Sequence, residues 1–244
     1  MTCAKRPKWL GMLTAAACLC TGVILHGTSV RAVPRRIILL RHGEKANSHA
    51  LCGIGLRRAV ALSQYYLGQN AKNQSLLEGQ VPAAIFAMTL HTLETAGHTA
   101  VSWRLPIKTY AAMPGENGIT KTSEKNSATQ AAAADVLGNP KWHDRIVLMF
   151  WEHHHIASPR LERLYSAQKV TLRQLLNIDH LEGVPKEWKN NYDYFWIIDY
   201  DPNYSQIPIR FQMVKQIYPS PFTKLPHNEW GEELPKEYPL SCLR

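Results

Sequence analysis

An arginine and a histidine stand side by side directly after a short apolar segment. Residues 37–40 are continuously apolar, and Arg41, His42 and Gly43 follow them. A guanidinium offers planar, permanently charged donors to phosphate oxygens, and an imidazole in the right tautomer can attack phosphorus and carry the phosphoryl group. A glycine lets the backbone approach a ligand closely. These residue types predict a phosphate site built around a histidine nucleophile.

A second apolar segment also ends in histidines. Residues 147–151 are followed by Glu152 and then by His153, His154 and His155. Imidazole is a common zinc ligand, so a metal site is one interpretation of this cluster. On an extended segment His153 and His155 would share a side, since alternate residues point to the same face. Completing such a site would require a further ligand from His49, His91 or a carboxylate.

The elements that must position these histidines are predicted from the apolar pattern. Short apolar segments predict strands at 37–40, 83–88, 146–151 and 194–200. Helical patterns lie between them, at 53–67, 90–101 and 127–137. Strands alternating with helices imply an α/β fold, a three-layer α/β/α sandwich with a mainly parallel sheet. Residues 207–217 predict an antiparallel or edge strand. Ligands of such sheets bind at the carboxyl ends of the strands, where both histidine segments lie.

The first of these segments resembles a known family signature. Arg41, His42 and Gly43 resemble the motif of the histidine phosphatase superfamily, the phosphoglycerate mutase-like proteins, and residues 55–59 resemble its Gly-x-x-Arg-Ala segment. The resemblance implies the phosphoglycerate mutase-like fold and a phosphohistidine intermediate on His42. It also implies that Arg41 holds the phosphate oxygens and that the reaction needs no metal ion or cofactor.

The second histidine segment extends this resemblance. Residues 151–156 resemble the Trp-His-His-Gly-x-Ile segment of some relatives, which makes His153 the second catalytic histidine. The family also supplies a second arginine, but His91 stands at its expected position. Loss of a charge-assisted pair would weaken phosphate binding by about 1.5 to 3 kcal/mol. A protonated His91, Lys45 or Arg58 could restore part of the charge.

Hydrolysis requires an acid that protonates the leaving alkoxide. Glu116, in the loop at 114–118, is the first candidate on the family resemblance, and Glu152 and Glu44 compete with it. Glu44 is further expected to support the site by pairing with Lys45 or Arg41. The predicted substrate contacts are Gly43, Glu44, Lys45, His91 and Glu152.

The N-terminus has the layout of a cleaved secretory signal. Basic residues at positions 5, 6 and 8 precede an apolar segment at 10–25 and the small-residue pattern at 30–32. A retained membrane anchor is the alternative, although the apolar part is short for a spanning helix. We therefore predict a signal peptide at 1–32 with cleavage near Ala32, a single domain at 33–244 and a periplasmic or secreted protein without stable membrane insertion.

Net charge and cysteine content limit the possible partners and cross-links. Cleavage removes Lys5, Arg6, Lys8 and Arg31 but no acidic residue, so the formal charge falls from +9 to +5. A basic protein attracts anions, and a small phosphorylated substrate is the predicted partner. No nucleic-acid-binding pattern is present, and the sequence leaves the oligomeric state open. Two cysteines remain, at 52 and 242, and they fit one disulfide or two free thiols equally well.

The sequence thus favours an exported, metal-independent phosphomonoester hydrolase. Two alternatives stay open. One is an inactive protein of the same fold that binds phosphate or a phosphoester, because the second arginine is missing. The other is an exported metal-binding protein that uses His153 and His155. The substrate is not predicted, since specificity would come from loops such as 105–125 and from the C-terminal tail.

Overall fold

The computed structural model describes residues 33–203, 205–235, 238–239 and 241–243. The predicted signal peptide, the possible anchor and the cleavage position at Ala32 lie outside these residues. Within the described ranges no helix combines the length and the apolarity that crossing a membrane requires.

The strands of the described residues form one six-stranded sheet. They are β1 (Arg36–Arg41), β2 (Ala84–Ala87), β3 (Ile107–Thr109), β4 (Ile146–Trp151), β5 (Tyr194–Tyr200) and β6 (Pro208–Lys215). Their order is β3-β2-β4-β1-β5-β6. The first four strands pair parallel with one another, whereas β5 pairs antiparallel with β1 and β6 pairs antiparallel with β5. The mainly parallel sheet and the antiparallel edge strand are confirmed.

Helices cover both faces of this sheet. They are α1 (Gly53–Leu62), α2 (Leu90–Trp103), α3 (Thr122–Gly138), α4 (His153–Ile156), α5 (Pro159–Leu164) and α6 (Leu172–Leu175), with a π-helical turn at Ser63–Leu67 and a 3-10 turn at Pro140–Trp142. Alternate residues of β1 face opposite layers. Ile38 packs with Leu62 of α1 and Ala96 of α2, whereas Leu39 packs with Val136 of α3. The predicted three-layer α/β/α sandwich is confirmed.

Two helices have boundaries that differ from the predicted ones for local reasons. Helix α3 begins at Thr122, earlier than the predicted start at 127, because the polar residues of its first turn carry no apolar pattern. The predicted helix at 53–67 ends as an α-helix at Leu62 and continues as the π-helical turn.

The C-terminal tail is fastened to the loop that follows β1. Cys52 and Cys242 form a disulfide with their α-carbons 5.4 Å apart, so the alternative of two free thiols is wrong. Next to it, the backbone N–H of Leu243 donates to the carbonyl of Lys45 at 2.7 Å. Residues far apart in sequence therefore meet beside the predicted phosphate site.

Candidate active site

Parallel pairing of β1 with β4 brings the two histidine segments together. Arg41 is the register partner of Trp151, and the backbone N–H of His42 donates to the carbonyl of Trp151 at 3.1 Å. The residues after Arg41 and after Trp151 therefore leave the sheet side by side. This places His42 and His153 at one sheet edge, as the ends of neighbouring parallel strands require.

The tautomer of His42 is set by the backbone that follows it. Its Nδ1 lies 2.7 Å from the carbonyl oxygen of Gly43, and a carbonyl can only accept, so Nδ1 carries the proton. The N–H of Gly43 donates in turn to Oγ1 of Thr95 at 2.8 Å. Burial, with a smaller contribution from Lys45, holds the pKa of His42 well below its usual range. The Nε2 atom therefore carries a free lone pair.

Two polar side chains lie close to that nitrogen, and a third contacts one of them. The Nε2 of His42 lies 3.4 Å from Nδ1 of His153 and 3.6 Å from Oε1 of Glu152. The same carboxylate oxygen lies 3.1 Å from Nδ1 of His153 and 3.3 Å from Nζ of Lys45. Four of the predicted site residues thus form one cluster.

Glu152 is the acidic member of this cluster. It is 5 % exposed and caps α4, where its Oε2 accepts from the backbone N–H of His154 at 3.1 Å. Burial by itself would raise the pKa of this carboxyl, but His153, His155 and His42 together hold it well below its usual range. Glu152 is therefore a carboxylate at neutral pH and places negative charge in front of His42.

Arg41 is held by the segment before β5. Its carbon Cζ lies 3.8 Å from the ring centroid of Tyr192, and its Nη2 donates to the Tyr192 hydroxyl at 3.0 Å. Its Nη1 donates to the carbonyl of Lys189. The buried Nε has no hydrogen-bond partner among the described residues. The contacts of Nη1 and Nη2 thus fix the guanidinium beside the cluster and leave the Nε N–H unpartnered among these residues.

His91 also reaches the site, but without a charge. Its ring centroid lies 5.8 Å from that of His42, and its Nε2 donates to the carbonyl of Asn47 at 2.8 Å. Burial and the positive charge of Lys45 lower its pKa to about 4. His91 is therefore neutral in the free protein at neutral pH.

Glu44 lies behind the site and does not face it. Its carboxylate is fully buried and pairs with Arg58 of α1, with an Nη2 to Oε1 distance of 2.6 Å. The expectation that Glu44 pairs with Lys45 or Arg41 is wrong. The suggestion that Arg58 leans toward the phosphate is also wrong, because Glu44 and the carbonyl of Pro226 hold it. The ion pair fixes the start of the loop to α1, which explains why neither group is available to a substrate.

A cavity of about 340 Å³ opens next to the cluster. Lys45, His91 and Glu152 line one part of it, and Lys125 adds a further positive charge. Glu116 is exposed in the loop before α3 and is not among the lining residues, although its neighbours Pro114 and Gly118 are. The structure does not bring Glu116 into the cluster, and its assignment as the acid stays a prediction.

The predicted pairing of His153 with His155 around a metal ion is wrong. Residues 153–156 form a helical turn and not an extended segment, so these side chains leave on different sides. His155 is buried, with its Nε2 3.0 Å from Oδ1 of Asn126. The group of described residues that could hold a metal ion consists instead of His42, Glu152 and His153, whose ligand atoms lie within 4.8 Å of one another.

The sequence did not predict the supporting roles of several residues. Tyr192 and Lys189 hold Arg41, Thr95 holds Gly43, and Arg58 holds Glu44. Arg58 lies in the segment at 55–59 that resembles Gly-x-x-Arg-Ala, and Thr95 follows His91, the residue at the expected position of the second arginine, so the resemblance offered a signal for both. Tyr192 and Lys189 carried none, since an aromatic or a lysine before a strand has many ordinary roles.

The comparisons with known proteins are distant. No family model matches this sequence, and no curated protein matches it. A solved mycobacterial glucosyl-3-phosphoglycerate phosphatase is 15 % identical, with a TM-score of 0.42 over 75 % of this chain and 98 % of its own. A mycobacterial protein described as hydrolase 2 is 16 % identical, with a TM-score of 0.42 over 80 % of this chain and 96 % of its own. Similarities of this size establish neither activity nor substrate, so the function is argued from the geometry of the site.

Proposed function

We propose that this protein is an exported phosphomonoester hydrolase of the phosphoglycerate mutase-like type that works through a phosphohistidine on His42. One observation carries the proposal. The Nδ1 proton of His42 is bound by the Gly43 carbonyl at 2.7 Å, which aims the unprotonated Nε2 into a buried cluster of polar groups. A histidine nucleophile for phosphorus requires this tautomer and this orientation.

The neighbouring groups suit phosphoryl transfer. The Nε2 lone pair of His42 attacks phosphorus, the bond to the leaving alkoxide breaks, and water later hydrolyses the phosphohistidine. Charge on the transferring oxygens is stabilised by donors fixed in advance, here the Nε of Arg41, the ring of His153 and the ammonium of Lys45. The cavity beside Lys45 and Lys125 fits a small phosphorylated substrate.

Glu152 is the proton donor that the geometry favours over Glu116. Its Oε1 lies 3.6 Å from the attacking nitrogen, whereas Glu116 is exposed and outside the cavity lining. A bound phosphate dianion raises the pKa of a neighbouring carboxyl, because like charges disfavour ionisation. Glu152 would then take up a proton as substrate binds and give it to the leaving alkoxide. Activity is accordingly expected to rise toward acidic pH.

The nucleophile is tested with a chromogenic substrate. Residues 33–244 are assayed for release of p-nitrophenol from p-nitrophenyl phosphate between about pH 4 and 8, with EDTA present. Phosphatase activity that His42→Ala abolishes, together with an acid-labile phosphoenzyme in the parent protein, is the expected result. Activity that persists in His42→Ala would exclude the phosphohistidine mechanism.

The proton donor is tested by varying the leaving group. p-Nitrophenolate leaves without protonation, whereas an alkoxide does not, so Glu152→Gln should slow hydrolysis of glycerol 2-phosphate far more than that of p-nitrophenyl phosphate. A general acid typically contributes about a hundredfold or more. Glu116→Gln is the matched control and should change neither rate. If Glu116→Gln shows the selective loss instead, Glu116 is the proton donor and the assignment of Glu152 is wrong.

A second candidate function is phosphate binding without turnover. Two observations favour it, namely the neutral His91 at the position of the missing arginine and the anionic Glu152 in front of His42. This alternative predicts that phosphate raises the melting temperature while no phosphoenzyme forms. His91→Arg should then strengthen phosphate binding about tenfold or more, since it restores a charge-assisted pair.

Export is part of the proposal and rests on the order of basic, apolar and small residues at 1–32. The Cys52–Cys242 disulfide supports it, because disulfides persist in oxidising compartments. The full chain expressed in a bacterium should appear outside the cytoplasm. The mass of the intact protein should match a chain that begins at Val33. An uncleaved chain in the membrane fraction would support the retained anchor instead.

A further inference from the structure

We propose that His42, Glu152 and His153 form a zinc site, and that zinc bound there reversibly blocks the nucleophile. The inhibitory effect rests on the proposed phosphatase function. Zinc binding itself does not, since it follows from the arrangement of three ligand atoms.

The distances between these atoms match tetrahedral coordination. The Nε2 of His42, the Nδ1 of His153 and the Oε1 of Glu152 are separated by 3.1, 3.4 and 3.6 Å. Zinc binds imidazole nitrogen and carboxylate oxygen at about 2.0 to 2.1 Å, so ligand atoms at the corners of a tetrahedron lie about 3.3 to 3.4 Å apart. An ion can therefore sit at bonding distance from all three atoms without a rearrangement of the backbone.

The chemistry of the donors also fits zinc. The Gly43 carbonyl binds the Nδ1 proton of His42, which leaves Nε2 free to ligate. The Nδ1 of His153 faces the Glu152 carboxylate, and zinc would replace the proton that those two atoms share, with the ring proton moving to Nε2. Two histidines and one glutamate are a ligand set of zinc sites that keep a fourth position open for water.

A backbone hydrogen bond and burial hold two of these ligands, Glu152 and His42, in place. The backbone N–H of His154 binds Oε2 of Glu152 and so fixes the carboxylate that offers Oε1. His42 is fully buried and Glu152 is 5 % exposed, so little side-chain freedom remains to be lost when an ion binds. Outer contacts of this kind orient metal ligands and raise affinity.

Lys45 opposes the cation and gives the proposal its sharpest test. Its Nζ lies 3.3 Å from the same Oε1 that would ligate zinc, so its positive charge disfavours a metal ion and favours a phosphate. Replacing it with an uncharged residue should therefore change zinc affinity and phosphate affinity in opposite directions. A cluster that serves only anions would not respond to zinc in this way.

The consequence for the reaction follows from the electron pair. A nitrogen lone pair that ligates zinc cannot attack phosphorus, so the zinc-bound protein forms no phosphohistidine. Removal of zinc by a chelator returns the lone pair of His42, and the ring proton of His153 moves back from Nε2 to Nδ1. Zinc is thus expected to act as an inhibitor that competes with the phosphorylated substrate.

The binding experiment needs no enzymatic activity. The protein is purified without metal, and its affinity for Zn²⁺ is measured by competition with a chromogenic chelator. One equivalent of zinc should bind. His153→Ala and Glu152→Gln should each weaken zinc binding by at least about tenfold, because loss of a residue that merely contacts a metal ligand already lowers metal affinity by that factor. His143→Ala, which replaces an exposed histidine outside the cluster, is the control and should bind as the parent does. Thermal melting without zinc verifies that each variant is folded.

Two results would overturn the zinc site. One is a folded parent protein that binds no zinc at micromolar concentration. The other is equal zinc affinity in His153→Ala, Glu152→Gln and the parent, which would place the ion elsewhere. In the Lys45→Met variant, zinc should bind more tightly while phosphate binds more weakly. A weakening of both would contradict the competition between Lys45 and the metal.

The inhibition is measured separately, so that the two proposals fail in different ways. If the phosphatase proposal holds, zinc should raise the apparent KM for p-nitrophenyl phosphate, and EDTA should reverse the effect. Inhibition that remains unchanged in Glu152→Gln would refute this zinc site. Zinc binding without any phosphoenzyme in the metal-free protein would refute the phosphatase proposal and leave the zinc site standing.

Discussion

The state of His42 is decided by one carbonyl and by burial. The Gly43 oxygen binds the Nδ1 proton, and full burial keeps the ring neutral by lowering its pKa. Burial and the charge of Lys45 likewise lower the pKa of His91, while the Asn47 carbonyl, which accepts from Nε2, acts in the opposite direction. In both residues the charged form would have to be desolvated, which burial makes costly. Neutral histidines are therefore the resting state of this site.

His91 is expected to make stability fall in acid. Its pKa is about 4 in the folded protein and 6.5 in the unfolded chain, so between these values the unfolded chain binds a proton that the folded protein does not. Stability therefore decreases as pH falls from 6.5 to 4, by about 2 to 3 kcal/mol for this residue. His91→Gln cannot titrate, so its free energy of unfolding should vary less steeply over this range in urea titrations.

The charged groups that face His91 are Lys45, Glu152 and His49, and all remain in the variant. His143→Gln, which replaces an exposed histidine, is the control for the exchange of histidine for glutamine. Parallel pH curves for the parent and His91→Gln would show that this imidazole does not remain neutral on folding.

At the scale of elements, the loop between β1 and α1 depends on close contact with the first turn of α1. The N–H of Cys52 donates to the Glu44 carbonyl at 2.9 Å, and Arg58 pairs with the Glu44 carboxylate. A side chain at Gly55 would not fit, because a Cβ there would lie 2.3 Å from the Glu44 carbonyl oxygen. A buried ion pair and a glycine contact thus fix where His42 leaves the sheet.

Two glycines of α1 should respond to alanine in opposite ways. Gly55→Ala forces the backbone of Glu44 to move and should destabilise the protein by about 1 to 3 kcal/mol or more, as overpacking does. Gly53→Ala meets nothing within 4 Å, and removal of glycine flexibility should leave stability unchanged or raise it by up to about 1 kcal/mol. Urea unfolding followed by tryptophan fluorescence measures both. A tolerated Gly55→Ala with full phosphatase activity would mean that this close approach does not position the site.

At the scale of the whole molecule, the tail closes the chain onto the site. The segment before β5 supplies Tyr192 and Lys189 to Arg41, and the far end of the tail reaches Lys45 through the backbone of Leu243. The disulfide that secures this end joins residues 190 positions apart. The loop that follows β1 is therefore supported by residues from the end of the chain.

Removal of this disulfide should weaken both stability and the site. A Cys52→Ser/Cys242→Ser double variant gains chain entropy in the unfolded state, which for so long a loop costs about 3 to 5 kcal/mol of stability. Its activity should also fall, because the loop around Lys45 loses a neighbour. Thermal melting and the phosphatase assay test this, and the parent protein under reducing conditions should match the variant. Unchanged melting in both samples would indicate that the cross-link adds nothing to folding.

The sequence by itself determined the strands and what stands at their ends. Continuous apolar segments located β1, β4 and β5, and the histidines that follow β1 and β4 met because parallel strands end at the same sheet edge. Such patterns are local, since a buried strand must be apolar along its whole length. A few consecutive residues are therefore enough to identify a buried strand.

Only the tertiary structure decided which groups are partners. It paired Glu44 with Arg58, placed Glu152 in front of His42, turned 153–156 into a helix and laid β5 antiparallel to β1. These choices depend on which side chains share a buried space, and residues more than a hundred positions apart, such as His42 and Glu152, fill it together. A buried charge must be paired, and tertiary packing decides which residue becomes its partner. Local sequence patterns do not indicate that residue.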